Sequence, residues 1–303
     1  MRKTGSLITI LIIGKDTSHQ LKDLLCSIDA QNTKIQDKIN ILYVDDCSND
    51  RSVDVFKNHS GKFDKQCIVN SECLGRAEAR NVGIRNAIGE YILFLNSNVK
   101  IIGINLIESY HNAINSGVYA GFGKVRYTCK DKRFEKYLNH LKRGTNGFEN
   151  RTLLSPGVCL FSNCIIKKSI LDNIGQFNKN LIDYGGEELD LAFRIQNNTI
   201  KLVHISTSIV IRNNHPGPFN HASRVEIFGK TNFLLLGPSV QKLILPYKVF
   251  TRPKGIVFAF FLLFYIARGV LKYPLVLIGN KNSFKCLLGL YFYYGIYSGL
   301  LDR

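Results

Sequence analysis

The sequence predicts an α/β fold with an open, mostly parallel sheet and helices on both of its faces. Three observations predict it. Apolar runs at 7–13, 39–44 and 91–95 are too continuous for half-exposed strands and match parallel strands covered on both sides. The stretches between them carry helical periodicity. Each run stops at a polar cluster, as strands of an open sheet do where their loops gather.

Taken in order, residues 7–13 form the first strand. Together with Met1-Arg2-Lys3 this run faintly resembles a secretion signal, but seven apolar residues followed by Gly14-Lys15-Asp16 read better as a buried strand. Residues 18–30 form a helix with Leu21, Leu24, Leu25 and Ile28 on one face. The second strand, 39–44, runs into a cluster from Asp45 to Asp50, followed by a short helix to about Asn58 and a brief strand at 67–70. A helix at 76–88 places Ala77, Ile84 and Ile88 on one side, and Asn96-Ser97-Asn98 stops the strand at 91–95. Further along, 158–166 reads as a strand, 168–174 as a short helix, 187–196 as a longer one, and 201–204 and 208–212 as strands. The Lys- and Arg-rich stretch 128–151 reads as a mobile excursion.

Eight cysteines without a Cys-x-x-Cys pair or zinc spacing read as small core residues in a reducing compartment. Forty Lys and Arg against 23 Asp and Glu give a net charge of +17, which calls for an anionic partner. Residues 241–303 carry nine of those bases and one acid, Asp302, together with the longest apolar runs, at 256–267 and 286–301. Basic and apolar together point to an anionic membrane surface. No recognition helix or aromatic RNA platform supports nucleic acid as the partner. A twelve-residue helix covers about 18 Å, short of the roughly 30 Å hydrocarbon core. Extending it to Ile278 crosses Arg268, Lys272 and Pro274. In-plane or re-entrant association is therefore expected ahead of a spanning hairpin or a buried C-terminal core.

Ligands of open parallel sheets bind beyond the carboxyl ends of the strands. The loop after Ile13, the pair Asp45 and Asp46, and Asn96-Ser97-Asn98 all fall there. Carboxylates at such points can accept from a base N–H or from ribose hydroxyls, and they also suit turn and helix-capping chemistry, which is the reading for Asp50. A second candidate begins at Tyr184-Gly185-Gly186, where Glu187 and Glu188 open a helix and Asp190 and Arg194 stand four apart. Either this is an acid-rich helix start, or one glutamate on a glycine hinge serves as a general base.

Four segments resemble one family. Val44-Asp45-Asp46-Cys47-Ser48-Asn49-Asp50 looks like the VDD-x-S-x-D element of inverting family 2 glycosyltransferases, which have the GT-A fold. The segment from Leu74 through Arg80-Asn81-Val82-Gly83 to Asn98 resembles the family's G-x-x-x-A-R-N-x-G helix and the strand after it. Ile174-Gly175-Gln176-Phe177-Asn178 is similar to its GGFD turn, and the segment from Gly186 to Arg194 to its G-E-D-x-D-L-x-x-R helix. They occur in the family's order from residue 7 to about 215. The resemblance implies transfer of a sugar, with inversion, from a nucleotide-sugar donor to a hydroxyl of a glycan or lipid-linked acceptor, in surface polysaccharide synthesis on the cytoplasmic membrane face. By position, Asp45 and Asp46 meet base and ribose, and Arg76, Arg80 and Asn81 shape the donor cleft. Glu188 stands where the family has its catalytic base, usually Asp, with Glu187, Asp190 and His215 as auxiliaries.

The chain departs from the family at the metal-binding D-x-D, which is Asn96-Ser97-Asn98 here. An amide oxygen brings no charge, and Mg²⁺ or Mn²⁺ prefers carboxylates. Asn96 can still bond a ribose hydroxyl. Asn98 and His215 are the remaining metal candidates, so three outcomes stay open: a weakened metal site, a metal-independent site in which Arg76, Arg80 or a loop lysine offsets the diphosphate, or a silent GT-A protein that binds nucleotide sugar or serves assembly. The domain reading is a catalytic domain at 1–237, nucleotide-binding over 1–100 and acceptor-side over 101–237, followed by a helical membrane-associating segment at 238–303.

Overall fold

The computed structural model describes residues 7–245 and 254–302. Along the chain run β1 (Ile8–Gly14), α1 (Ser18–Asp29), β2 (Ile39–Asp45), α2 (Ser52–Asn58), β3 (Asp64–Val69), α3 (Gly75–Asn86), β4 (Tyr91–Asn96), β5 (Lys100–Ile102), α4 (Leu106–Asn115) and β6 (Ala120–Cys129). There follow α5 (Lys132–Leu138), β7 (Asn163–Lys167), α6 (Lys168–Ile174), α7 (Glu187–Asn197), β8 (Leu202–His215), α8 (Pro218–Lys230), α9 (Asn232–Leu235), α10 (Pro238–Ile244), α11 (Lys254–Ile278) and α12 (Lys281–Leu301). The strands make one eight-stranded sheet in the order β3-β2-β1-β4-β7-β6-β8-β5. The first four run parallel, the half that the apolar runs announce. Beyond them β7 is antiparallel to β4 and β6, and β5 to β8.

The chain divides into two compact units. One comprises Met1–Arg126, Leu141–Lys179 and Leu191–Asn213; the other comprises Tyr127–His140, Asn180–Asp190 and Asn214–Arg303. In the first, Leu11, Leu42 and Phe94 of the sheet and Ala77, Ala79 and Ile84 of α3 belong to one buried cluster. Phe94, Phe161, Phe177 and Phe122 extend it through edge-to-face contacts at 5.1–6.2 Å.

The second unit rests on a close helix pair. A Cβ at Gly295 of α12 would lie 2.2 Å from the carbonyl oxygen of Glu226 on α8, and one at Gly299 would lie 2.2 Å from that of Lys230. Gly229 returns the approach, 2.5 Å from the carbonyl of Phe292. Only glycine lets the two backbones meet in this way. Asn280 opens α12 with a capping box, accepting from Ser283 N while Ser283 Oγ accepts from Asn280 N.

Several expectations need correction. The strand expected at 158–166 begins only at Asn163, because Pro156–Val158 forms a 3₁₀ turn first. The two strands at 201–204 and 208–212 are one, β8. Ile88 lies past the end of α3 and is exposed. The excursion at 128–151 contains α5, whose Phe134, Tyr137 and Leu138 cluster with Phe284 of α12. Composition hid that helix, because its apolar residues are few and stand among Lys132, Arg133, Glu135 and Lys136. All eight cysteines are free, but only Cys129, Cys159 and Cys164 are buried. The helix expected to stop near Ala267 continues to Ile278. Arg268 does not break it, because Glu226 pairs with its guanidinium at 2.5 Å and the Tyr294 ring lies 4.0 Å away.

Candidate functional site

In the first unit the polar edge is built by strand register. Gly14 pairs with Asp45 and Ile13 with Asn96, so β2, β1 and β4 end side by side. Their loops are stitched together: Asp16 N donates to Ser48 Oγ, Asn49 N to Asp16 Oδ1, Thr17 N to Ser52 Oγ, and Thr17 Oγ1 to Ser97 Oγ. Asp50 accepts from Ser18 N and Ser52 N, the capping work expected of it.

Asp45 and Asp46 organise this edge. Asp45 is fully buried and accepts from Tyr43 OH at 2.8 Å, Ser48 Oγ at 2.6 Å and Ser48 N at 2.9 Å. Burial, aided by that carboxylate, holds the Tyr43 phenol protonated far above the usual tyrosine range. Asp46 accepts from Asn70 Nδ2, Leu74 N and Gly75 N, which fastens the start of α3 to the end of β2. The negative charge suits that helix N-terminus. Beside it, a hydrogen bond with Cys47 and then one from Lys15 Nζ, 2.9 Å from Cys73 Sγ, hold the Cys73 thiol pKa below its usual value.

The residues of α3 each have a packing reason. A Cβ at Gly83 would meet Leu11 Cδ1 at 2.3 Å, so glycine sets how closely the helix lies on β1. Asn81 binds the backbone of Phe177 both ways at 2.9 Å, which ties α3 to the turn at Gly175, where φ is +81°. Arg194 Nη2 and Nη1 brace that same turn at the carbonyls of Gln176, Gly175 and Ile174. Arg80 is fully buried, lies 5.1 Å from the Phe177 ring and reaches Asn96 Oδ1 at 3.4 Å. Arg76 stands in the first turn of the same helix, on its half-buried side.

These residues do not fit a divalent cation. Asn96 and Asn98 offer neutral oxygens. With its amide turned so that oxygen faces guanidinium, Asn98 accepts from Arg212 Nη2 at 2.9 Å and Nε at 3.2 Å. Among the described residues no three His, Cys, Asp or Glu converge as metal ligands.

In the second unit, Gly185 and Gly186 both have φ of +91°, which only glycine adopts readily. Asn232 Nδ2 donates to the carbonyls of Asp183 and Gly185, and the Phe228 ring would lie 2.9 Å from a Cβ at Gly186. The expected hinge is thus a clamped turn. It delivers Glu187, Glu188 and Asp190 into the first turn of α7. Glu187 is buried, whereas Glu188 and Asp190 are half-buried. His215 sits among rings, edge-on to Tyr127 at 5.2 Å and near Phe134 and His221, with Nδ1 2.7 Å from the Pro216 carbonyl.

A family model described as Glycosyl transferase family 2 matches residues 9–175, more than half of the sequence. The chain belongs to glycosyl transferase family 2. Solved structures agree on its GT-A fold. The mannosyltransferase PcManGT from Pyrobaculum calidifontis, in complex with GDP-Man and Mn²⁺, is 15% identical with a TM-score of 0.67, over 98% of this chain and 87% of that one. S. aureus TarS is 14% identical with a TM-score of 0.52, over 74% of this chain and 39% of that one. This family 2 chain thus spans well under half of that TarS structure. A shorter form, TarS 1-349 with UDP-GlcNAc, is 13% identical with a TM-score of 0.54, over 95% of this chain and 91% of that one. No curated protein matches the sequence.

Arg212 is the residue that sequence reasoning missed. Its signal is the antiparallel register of β5 and β8, which a three-residue strand does not announce.

Proposed function

We propose that this family 2 protein transfers a sugar from a nucleotide-sugar donor to a hydroxyl of a glycan or lipid-linked acceptor, with inversion, in surface polysaccharide synthesis. The observation that carries the reading is the polar edge at the carboxyl ends of β2, β1 and β4, built by the family's own motif residues. PcManGT with GDP-Man and TarS with UDP-GlcNAc support a nucleotide-sugar donor. In this scheme Asp45 and Asp46 act by shaping the nucleoside pocket, Asn96 bonds a ribose hydroxyl, and Arg76, Arg80 and Asn81 fix the cleft. Glu188 takes the acceptor's proton as that oxygen bonds to the anomeric carbon. The bond to the diphosphate breaks, and the nucleoside diphosphate leaves with the electron pair. Exposure favours Glu188 over Glu187 for this task, with Asp190 and His215 as auxiliaries.

The test is ligand-observed NMR with UDP-, GDP- and dTDP-sugars on the full chain. Saturation transfer to one donor class, with slow hydrolysis of that donor, is the expected result; no binding to any donor overturns the reading. Binding without turnover, even with lipid extract as acceptor, would instead select the silent GT-A protein, the reading that Asn96 and Asn98 favour.

The proposal extends to the membrane. Helix α11 is about 37 Å long at helical rise, and among its residues of described burial only Val257 is buried. Length alone would allow it to span. Its inner face, however, stacks along α12 through Phe260 on Tyr297 and Phe264 on Tyr293, and Arg268 is tied to Glu226 of α8. A helix stacked along α12 and tied by its arginine to α8 lies in the interface, with Phe258, Leu263, Ile266 and Val270 facing outward. With nine bases in 241–303, the partner is the anionic cytoplasmic leaflet. Combined Phe258→Glu, Leu263→Glu and Ile266→Glu should lower sedimentation with anionic vesicles at least about tenfold. Unchanged sedimentation would refute the interfacial face.

A further inference from the structure

Asn98 replaces a metal-binding carboxylate, and it does not stand alone. Lys100 of β5 pairs with Ile211 of β8, so the register carries Arg212 back along the residues that follow the Asn96-Ser97-Asn98 turn. There its guanidinium meets the Asn98 amide oxygen through Nη2 at 2.9 Å and Nε at 3.2 Å. Both side chains are half-buried, so the pair stands at the edge of the unit and not in its core.

We infer that Arg212 is the cation that binds the donor's diphosphate, in the role for which the family resemblance implies a divalent metal. The inference rests on the nucleotide-sugar reading above. Charge supports it: a D-x-D pair with a divalent cation sums to zero, so beside the neutral Asn96 and Asn98 a single guanidinium is enough to make the site no less positive. Aspartate at 98 would set a carboxylate against the guanidinium, whereas the amide adds no charge and fixes the plane of the fork. A guanidinium suits phosphate oxygens because its N–H groups form a planar fork. A metal ion bound by Asn98 would instead face that guanidinium at hydrogen-bonding range, an unfavourable pairing of like charges. Arg80 does not compete for the role, since it is fully buried beneath Asn96. Arg212 therefore stabilises the charge that gathers on the leaving diphosphate as the sugar departs.

The experiment measures, by calorimetry on the full chain, binding of UDP, GDP and dTDP and of the matching monophosphates, each with Mn²⁺ or with EDTA. For the nucleotide that binds, the wild-type preference for diphosphate over monophosphate should be the same in both conditions. Arg212→Gln should reduce that preference about 10- to 100-fold while the monophosphate binds as before. Arg212→Lys keeps the charge without the fork and should reduce it several-fold, which provides a test if the Gln variant does not fold. Asn98→Asp combined with Arg212→Gln should recover tight diphosphate binding only with Mn²⁺. A preference unchanged in whichever Arg212 variant folds overturns the assignment of Arg212 and leaves the donor reading standing. Tenfold tighter diphosphate binding by the wild type on adding Mn²⁺ does the same. Failure of every nucleotide to bind overturns the donor reading and this inference together.

Discussion

Glu188→Gln should lower kcat by about 10²- to 10⁴-fold while leaving donor affinity nearly unchanged. The substitution keeps the size and the hydrogen-bonding reach of the side chain and removes only its ability to take a proton. Glu188 lies in the first turn of α7. It is half-buried, so an acceptor can reach it, and the turn that presents it is clamped by Asn232 and Phe228. A base on a fixed turn needs no ordering when the acceptor arrives. Single-turnover rates with donor binding measured in parallel check this. Full turnover by the Gln variant would place the base elsewhere.

Gly295→Leu should destabilise the C-terminal unit by about 3 kcal/mol. A Cβ there would lie 2.2 Å from the Glu226 carbonyl oxygen, 3.0 Å from its carbon and 3.1 Å from Lys230 N. These are backbone atoms, so no rotamer change relieves the clash, and α12 must move off α8. The Phe228–Phe292 stack and the Lys230–Asp302 ion pair connect the same two helices and would loosen with it. Gly289 of the same helix has open space around it, and Gly289→Ala should be stabilising by up to about 1 kcal/mol through helix propensity. Thermal unfolding of the two variants separates close packing from a general effect of glycine replacement. Equal melting temperatures would show that α12 and α8 do not meet closely in solution.

How far the sequence could be read depended on how local the deciding interactions were. Strands β1, β2 and β4 were legible because burial on both faces demands continuous apolar runs, and the polar clusters that end them are local as well. The G-x-x-x-A-R-N-x-G element was legible as a motif, yet its reasons were not. The motif names Arg80 and Asn81, but it does not record that one reaches Asn96 and the other holds Phe177, 96 residues away. α5 escaped because its apolar residues gain their value from Phe284, far along the chain. α11 was cut short because the partner that accommodates Arg268, Glu226, lies 42 residues earlier.

The candidate site divides along the same line. The sequence by itself determined the fold class, the family, and the absence of a carboxylate pair at residues 96 and 98, since these depend on residue identity and short-range periodicity. Only the tertiary structure decided what stands opposite Asn98. Arg212 is 114 positions away, and it arrives through the pairing of a three-residue strand whose register no composition or spacing records. Hydrogen bonds between distant segments are set by how the sheet closes, and that is a property of the whole core.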